Sequence, residues 1–252
     1  MLARRAVICT AFAVLVAGAA LAQLPPSAKV PPIPANVRAA VDDATRPEKD
    51  RARDAGRKPA EVFALAGIKT GDKVIEIGSF GQYDTNIIVR AIGPKGHVYM
   101  YDLPYQRAKQ EEPTKAFNEA HKNTEYQIGK FDELTYPKNV NLVVIDMYYH
   151  DLALPSNGVD MTKFNKQMFD ALKKGGRVLI VDHNAEAGSG RRDTPKIHRI
   201  GPEVIEQEMK DAGFKEIVHS SIFANPDDDK TKMVFAPGER GSTDRSLFVF
   251  QK

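Results

Sequence analysis

The chain alternates between two hydrophobic periods. Apolar runs at 73–78 (KVIEIG), 97–102 (HVYMYD), 124–128, 141–147 (NLVVIDM) and 177–182 (RVLIVD) read as buried strands, the fourth run being the strongest. Between them, apolar residues spaced three and four apart predict helices. One opens at Pro59 and stops at Gly67, and another, capped by Asp84, carries Ile87, Ile88, Ala91 and Ile92 to Gly93. Further helices fall near 114–121, 162–173 and 203–212, and no internal repeat interrupts the series. Two strands, roughly 215–222 and 245–251, close the chain with no helical pattern between them. Five strands separated by helices require a parallel sheet covered on both faces, and the closing pair predicts an antiparallel edge. The expected class is α/β, a doubly wound, seven-stranded, mostly parallel sheet with an antiparallel pair at the C-terminal end.

The N-terminus follows a different grammar. Arg4 and Arg5 precede an apolar run over 6–21, and Ala20-Leu21-Ala22 forms a small-x-small cleavage site before Gln23. Residues 1–22 therefore read as a signal peptide cut after Ala22, and predict a periplasmic or secreted protein. The run is shorter than the ~20 residues of a comfortable membrane span, so no span is expected after cleavage. Residues 23–45 read as a proline-rich tether, with Pro25, Pro26, Pro31, Pro32 and Pro34 at its start. Residues 46–252 form a single domain, with 46–66 as an N-terminal helical lid.

With 252 residues, 42% hydrophobic and 27% charged, the composition is that of an ordinary globular chain. Loss of Arg4 and Arg5 with the leader takes the formal charge from +3 to +1, which leaves no electrostatic footprint for nucleic acid. The single cysteine, Cys9, lies in the leader, so the mature chain has no disulfide, thiol nucleophile or thiolate metal site.

The first strand runs through Glu76-Ile77-Gly78-Ser79-Phe80-Gly81 directly into a helix, and Asp102 ends the second strand 21 residues after Gly81. Glycines there allow close backbone approach to a ligand, and an acid there is placed to bind ribose hydroxyls. At this point the chain resembles class I S-adenosylmethionine-dependent methyltransferases, whose Rossmann-like seven-strand pattern it matches from about residue 59 to the end. More narrowly it is similar to exported bacterial methyltransferase-like proteins. That match rests on Arg53-Asp54, Arg57-Lys58-Pro59, Tyr149-His150-Asp151-Leu152, Asp182-His183, Gly188-Ser189-Gly190, His198-Arg199-Ile200 and Asp244-Arg245. The resemblance implies S-adenosylmethionine as cofactor, held by Glu76, Gly78, Ser79, Gly81, Asp102, Leu103, Asp132 and Asp146, with Phe131-Asp132 near the adenine. Phe80 stands where relatives carry a richer glycine run, and would crowd the methionine moiety unless it points away.

Ligands of such sheets lie beyond the carboxyl ends of the strands, where Asp146–Asp151, Asp182-His183-Asn184 and His198-Arg199 fall. A methyl acceptor must lose a proton, and histidine is tuned for that near neutral pH. His150 is the expected general base, His183 the second choice, with Asp151 or Asp182 orienting and Tyr149 shaping the acceptor pocket. Arg53, Arg57, Lys58, His198 and Arg199 are the expected lid and substrate residues. A divalent metal is not favoured, because His183 interrupts the set Asp146, Asp182 and Asn184. The expected partner is a small-molecule or cell-envelope acceptor. Two other readings stay open: a repurposed fold using the histidines for lyase-type acid–base chemistry, and a non-catalytic ligand-binding protein. Oligomeric state is not legible.

Overall fold

The computed structural model describes residues 27–252, so the signal-peptide reading of 1–22 lies outside the described residues. Seven strands form one sheet: β1 (Lys73–Ile77), β2 (His97–Asp102), β3 (Thr124–Ile128), β4 (Val140–Asp146), β5 (Leu172–His183), β6 (Lys215–Ser220) and β7 (Arg245–Gln251). Their order is β3-β2-β1-β4-β5-β7-β6. The first five are parallel, while β7 runs antiparallel to both β5 and β6. The helices are α1 (Ala35–Val41), α2 (Glu48–Arg51), α3 (Asp54–Arg57), α4 (Pro59–Ala66), α5 (Tyr83–Ile92), α6 (Arg107–Ala120), α7 (Tyr149–Leu152), α8 (Met161–Ala171), α9 (Thr194–Ile197) and α10 (Pro202–Asp211).

Continuous apolar runs are needed because both faces of the sheet are buried and side chains alternate between them. Leu142, Val144, Leu179, Val181, Leu247 and Val249 join one core with α1, α4 and α5. Their neighbours Val143, Ile145, Val178, Ile180, Phe248 and Phe250 join the other, under α8 and α10. The strand order reverses between β1 and β4, and this opens a crevice at their carboxyl ends. Among the described residues no helix is long and apolar enough to cross a membrane.

Several expected boundaries shift. The tether reading of 23–45 gives way at Ala35, where α1 begins. Val37 and Ala40 of α1 are buried against α5, and Asn36 Nδ2 donates to Ala91 O at 3.0 Å. Upstream, Ala28 N donates to His219 O at 2.8 Å, which ties the start of the described chain to β6. Within 46–66, read as a helical lid, α4 is instead a core helix, with Phe63 and Ala66 nearly inaccessible. Strand β5 starts at Leu172, before the Gly175-Gly176 pair expected to stop α8. Helix α5 is preceded by Gln82 in a left-handed conformation, and Asp84 lies in its first turn without capping it.

Candidate functional site

A cleft of about 700 Å³ opens beyond β1, β4 and β5. Glu76 and Gly78 line it from β1 and its turn, and Asp146 and Met147 from the end of β4. Asp151 and His183 close one side, Arg53 and Arg57 the other, and the loop carrying Phe235, Arg240 and Arg245 forms the rim.

The charged stretch before α4 is folded inward around one aromatic ring. Tyr83 has the guanidinium carbons of Arg46, Arg53 and Arg57 at 5.6, 4.8 and 4.4 Å from its ring centre. Arg46 is fully buried and grips Asp54 through two bonds of 2.8 Å, and Tyr83 Oη donates to Asp54 at 2.6 Å. Asp54 is thus taken and does not pair with Lys58. Lys58 Nζ instead donates to Ile222 O at 2.5 Å, off the cleft. Arg57 reaches in, donating to Asp146 at 2.8 Å and to Asp84 at 3.3 Å.

Two carboxyls, Asp84 and Asp146, converge on that one guanidinium, and Glu76 lines the same cleft. Burial, and then the charge of Asp146, push the Asp84 pKa well up. Burial drives Glu76 up to about 8, against the Thr85 hydroxyl that donates to it at 2.7 Å. Between the ordinary value of 4.5 and about 8 the folded chain holds a proton that the unfolded chain has released, so stability falls as pH rises through that window. Glu76→Gln removes the loss. Its melting temperature, equal to the parent's near pH 5, should exceed it by several degrees at pH 9. A difference that stays flat with pH in thermal melts would show that Glu76 is not the titrating group.

The wall toward β2 is closed by the chain itself. Asp102 is fully buried: its Oδ1 accepts from Phe80 N at 3.1 Å, and its Oδ2 from Tyr126 Oη at 2.9 Å and Ser79 Oγ at 3.4 Å. Burial raises its pKa to about 6. The ring of Tyr148, just after β4, lies on Gly78, where an added Cβ would meet Tyr148 Cδ1 at 2.4 Å. Only glycine permits that approach at a φ of +81°. Tyr148 also packs edge-on to Phe80 at 5.2 Å, and its hydroxyl meets that of Tyr105 at 2.9 Å. Of the expected cofactor residues, then, Glu76, Gly78, Gly81 and Asp146 line the cleft, whereas Ser79, Asp102, Leu103 and Asp132 are buried away from it. Phe80 turns toward the cleft and Tyr148.

Two histidines stand beside the acids, with ring centres 6.0 Å apart. His150 is buried, with Nδ1 on Asp182 Oδ1 at 2.7 Å and Nε2 at 3.1 Å from Asp151 Oδ1. Burial alone would depress it, but Asp182 and Asp151 outweigh that and push it up to about 10. Both ring nitrogens are thus engaged by carboxylates and the side chain is buried outside the cleft lining, which does not suit the expected role of general base. His183 goes the other way: burial, then the charges of His150, Arg245, Arg199 and Arg57, hold its pKa well below 6.5. It lines the cleft, with Nδ1 on Thr243 Oγ1 at 2.8 Å.

Other expected site residues have structural work. Tyr149 is buried among α8 and α10, donating to Glu208 at 2.7 Å and accepting from Asn165 Nδ2 at 2.7 Å, so it shapes no acceptor pocket. Arg199 is fully buried against Asp228, and does not face a ligand. The set Asp146, Asp182 and Asn184 does not assemble, because Arg57 takes Asp146, His150 takes Asp182, and Asn184 bonds Asp244 and Ser246. Sequence reasoning missed Arg245, whose Nη2 donates to Gly56 O at 2.8 Å, and the role of Tyr148. The Asp244-Arg245 pair before the last strand was a signal for the former; nothing local marked the latter.

No family model matches the chain. It is 27% identical over 124 residues to an arsenite methyltransferase of Halobacterium salinarum, across 47% of this chain and 29% of that one. It is 26% identical over 174 residues to a ubiquinone/menaquinone biosynthesis C-methyltransferase of Vibrio cholerae, across 66% of this chain and 63% of that one. The chain thus spans under two thirds of the length of these curated relatives. Among solved structures, an S-adenosylmethionine-dependent methyltransferase from Aquifex aeolicus superposes with a TM-score of 0.55 at 18% identity, covering 77% of this chain and 88% of that one. With its β3-β2-β1-β4-β5-β7-β6 order, the chain has the fold of class I S-adenosylmethionine-dependent methyltransferases.

Proposed function

We propose that the cleft binds S-adenosylmethionine and serves methyl transfer to a small-molecule or cell-envelope acceptor, in the periplasm or outside the cell. The fold and the methyltransferase names of the relatives support the reaction class. The observation that carries the reading is the charge pattern at the switch point. Asp84 and Asp146 face Arg57, with Arg53 and Arg245 beside them, in the crevice where this fold holds ligands. A zwitterionic amino-acid end fits there, its ammonium on the carboxyls and its carboxylate on the guanidinium groups. The adenosyl end meets Phe80 and Tyr148. Phe80 is 38% exposed and held by an edge contact, so it can swing aside while Tyr148 stays the floor.

When bound, the cofactor supplies an electrophilic methyl group, and most of the catalysis is then positioning. Arg57 orients the amino-acid end and His183 accepts the acceptor's proton, its Nδ1 fixed by Thr243.

Calorimetric titration of the purified protein with S-adenosylmethionine and S-adenosylhomocysteine tests the reading. Micromolar binding is expected, weakened about 10- to 100-fold in Arg57→Met, the loss of one charge-assisted hydrogen bond, and strengthened in Phe80→Ala. No binding at millimolar ligand in either the parent or Phe80→Ala would sink it.

A further inference from the structure

We infer that His150, Asp151 and His198 form a binding site for a divalent transition-metal ion of the zinc and iron class at the side of the cleft. The three donors come from two loops brought together only by the fold: His150 and Asp151 from α7 after β4, and His198 from the end of α9. His150 Nε2, His198 Nδ1 and Asp151 Oδ1 form a nearly equilateral triangle, with edges of 2.9 Å (His198–Asp151), 3.1 Å (His150–Asp151) and 3.2 Å (His150–His198). Donors about 2.0–2.1 Å from one ion, at coordination angles between octahedral and tetrahedral, lie roughly 2.9–3.4 Å from each other. Hydrogen bonding accounts for this triangle poorly. Two imidazole nitrogens face each other and share one carboxylate oxygen, so N–H groups on both would repel, whereas a single cation that displaces the ring protons meets all three lone pairs.

The surroundings complete a metal site. The other ring nitrogen of His150 donates to Asp182 at 2.7 Å, the carboxylate–histidine arrangement that fixes a ligand's tautomer and orientation. Asp182 Oδ2 also accepts from His150 N at 2.7 Å, so ring and backbone are locked together. His198 sits at a φ of +56°, with its ring against Phe235 at 5.1 Å. Two imidazoles and one carboxylate are the donor set of facial sites that leave positions open. Asp151 lines the cleft, so those positions face its occupant, and an oxygen of that occupant would complete the shell.

The site stands apart from the methyl-transfer reading, and so does its test. Zn²⁺ and Co²⁺ are titrated into the purified protein, carrying no histidine tag, by calorimetry and by the visible absorption of bound Co²⁺. One ion per chain is expected, with affinity at least about 100-fold weaker in His198→Ala and in Asp151→Asn, and unchanged in His219→Ala. His198 is partly exposed, so its variant should melt with the parent and separate metal loss from misfolding. No uptake of either ion, uptake unaffected in both ligand variants, or loss confined to His219→Ala would each overturn the proposal. The last would place binding at Glu206, Glu216 and His219 instead.

Discussion

Alanine at His183 is expected to lower methyl transfer about 10²- to 10⁴-fold, the usual worth of a positioned general base, while leaving affinity for S-adenosylmethionine unchanged. The ring lines the cleft, but it is not among the cations or acids that face the amino-acid end. Its pKa lies well below 6.5, because it is buried and surrounded by positive charge, so it is unprotonated at neutral pH. Activity should accordingly fall only on the acid side, below pH 6.5, as His183 takes up a proton, and the variant should lose that limb. The measurement is label transfer from methyl-tritiated S-adenosylmethionine to small molecules and envelope fractions across pH 5–9. Equal losses of binding and turnover would make His183 structural. Cofactor binding without label transfer by the parent protein would return the chain to the non-catalytic ligand-binding class.

The largest effect on stability is expected far from the chemistry, at Asp228. Its carboxylate receives Arg199 Nη1 at 2.8 Å and Nη2 at 3.0 Å, and the backbone N–H groups of Lys230 at 3.0 Å and Asp244 at 2.6 Å. Both side chains are inaccessible. Arg199 also donates to Asn184 O at 3.1 Å and Lys232 O at 3.0 Å, which ties the late loop to the end of β5. Asp228→Ala leaves a buried guanidinium without its counter-charge, at a cost of about 3–5 kcal/mol. For a chain of this size that is a fall in melting temperature of roughly 6–20 °C. Replacing both partners, as in Arg199→Met with Asp228→Leu, should recover part of it, since no charge is then stranded. A single variant that melts within about 2 °C of the parent would contradict the account.

The central strands were legible because each is an apolar run long enough to be buried on both faces, whereas β3 and β6 are half-polar edge strands with a weaker signal. The antiparallel edge was legible because no helical period separates the last two. The same reading located Glu76, Gly78, Asp146 and His183 at strand ends, where they line the cleft. It overestimated the tether, since α1 has only a few apolar residues and is held by contacts to α5, 40 or more residues away. It nominated Arg53, Arg57 and Lys58 as lid residues without showing what gathers the arginines, because that ring, Tyr83, lies on α5 across β1.

Hydrophobic period is a property of neighbours in the chain, and it determined the class of fold and the end of the sheet at which chemistry gathers. The direction and partner of each polar side chain are properties of neighbours in space. Only the tertiary structure decided that Asp102 is capped by its own glycine turn, that Tyr149 faces the core and Asp151 the cleft, and that His150 meets Asp182 while His183 meets Thr243. Each outcome depends on burial together with a partner from another strand or loop. A hydrogen bond or ion pair holds only over a few ångströms, so residue type and spacing could nominate these groups but not assign their work.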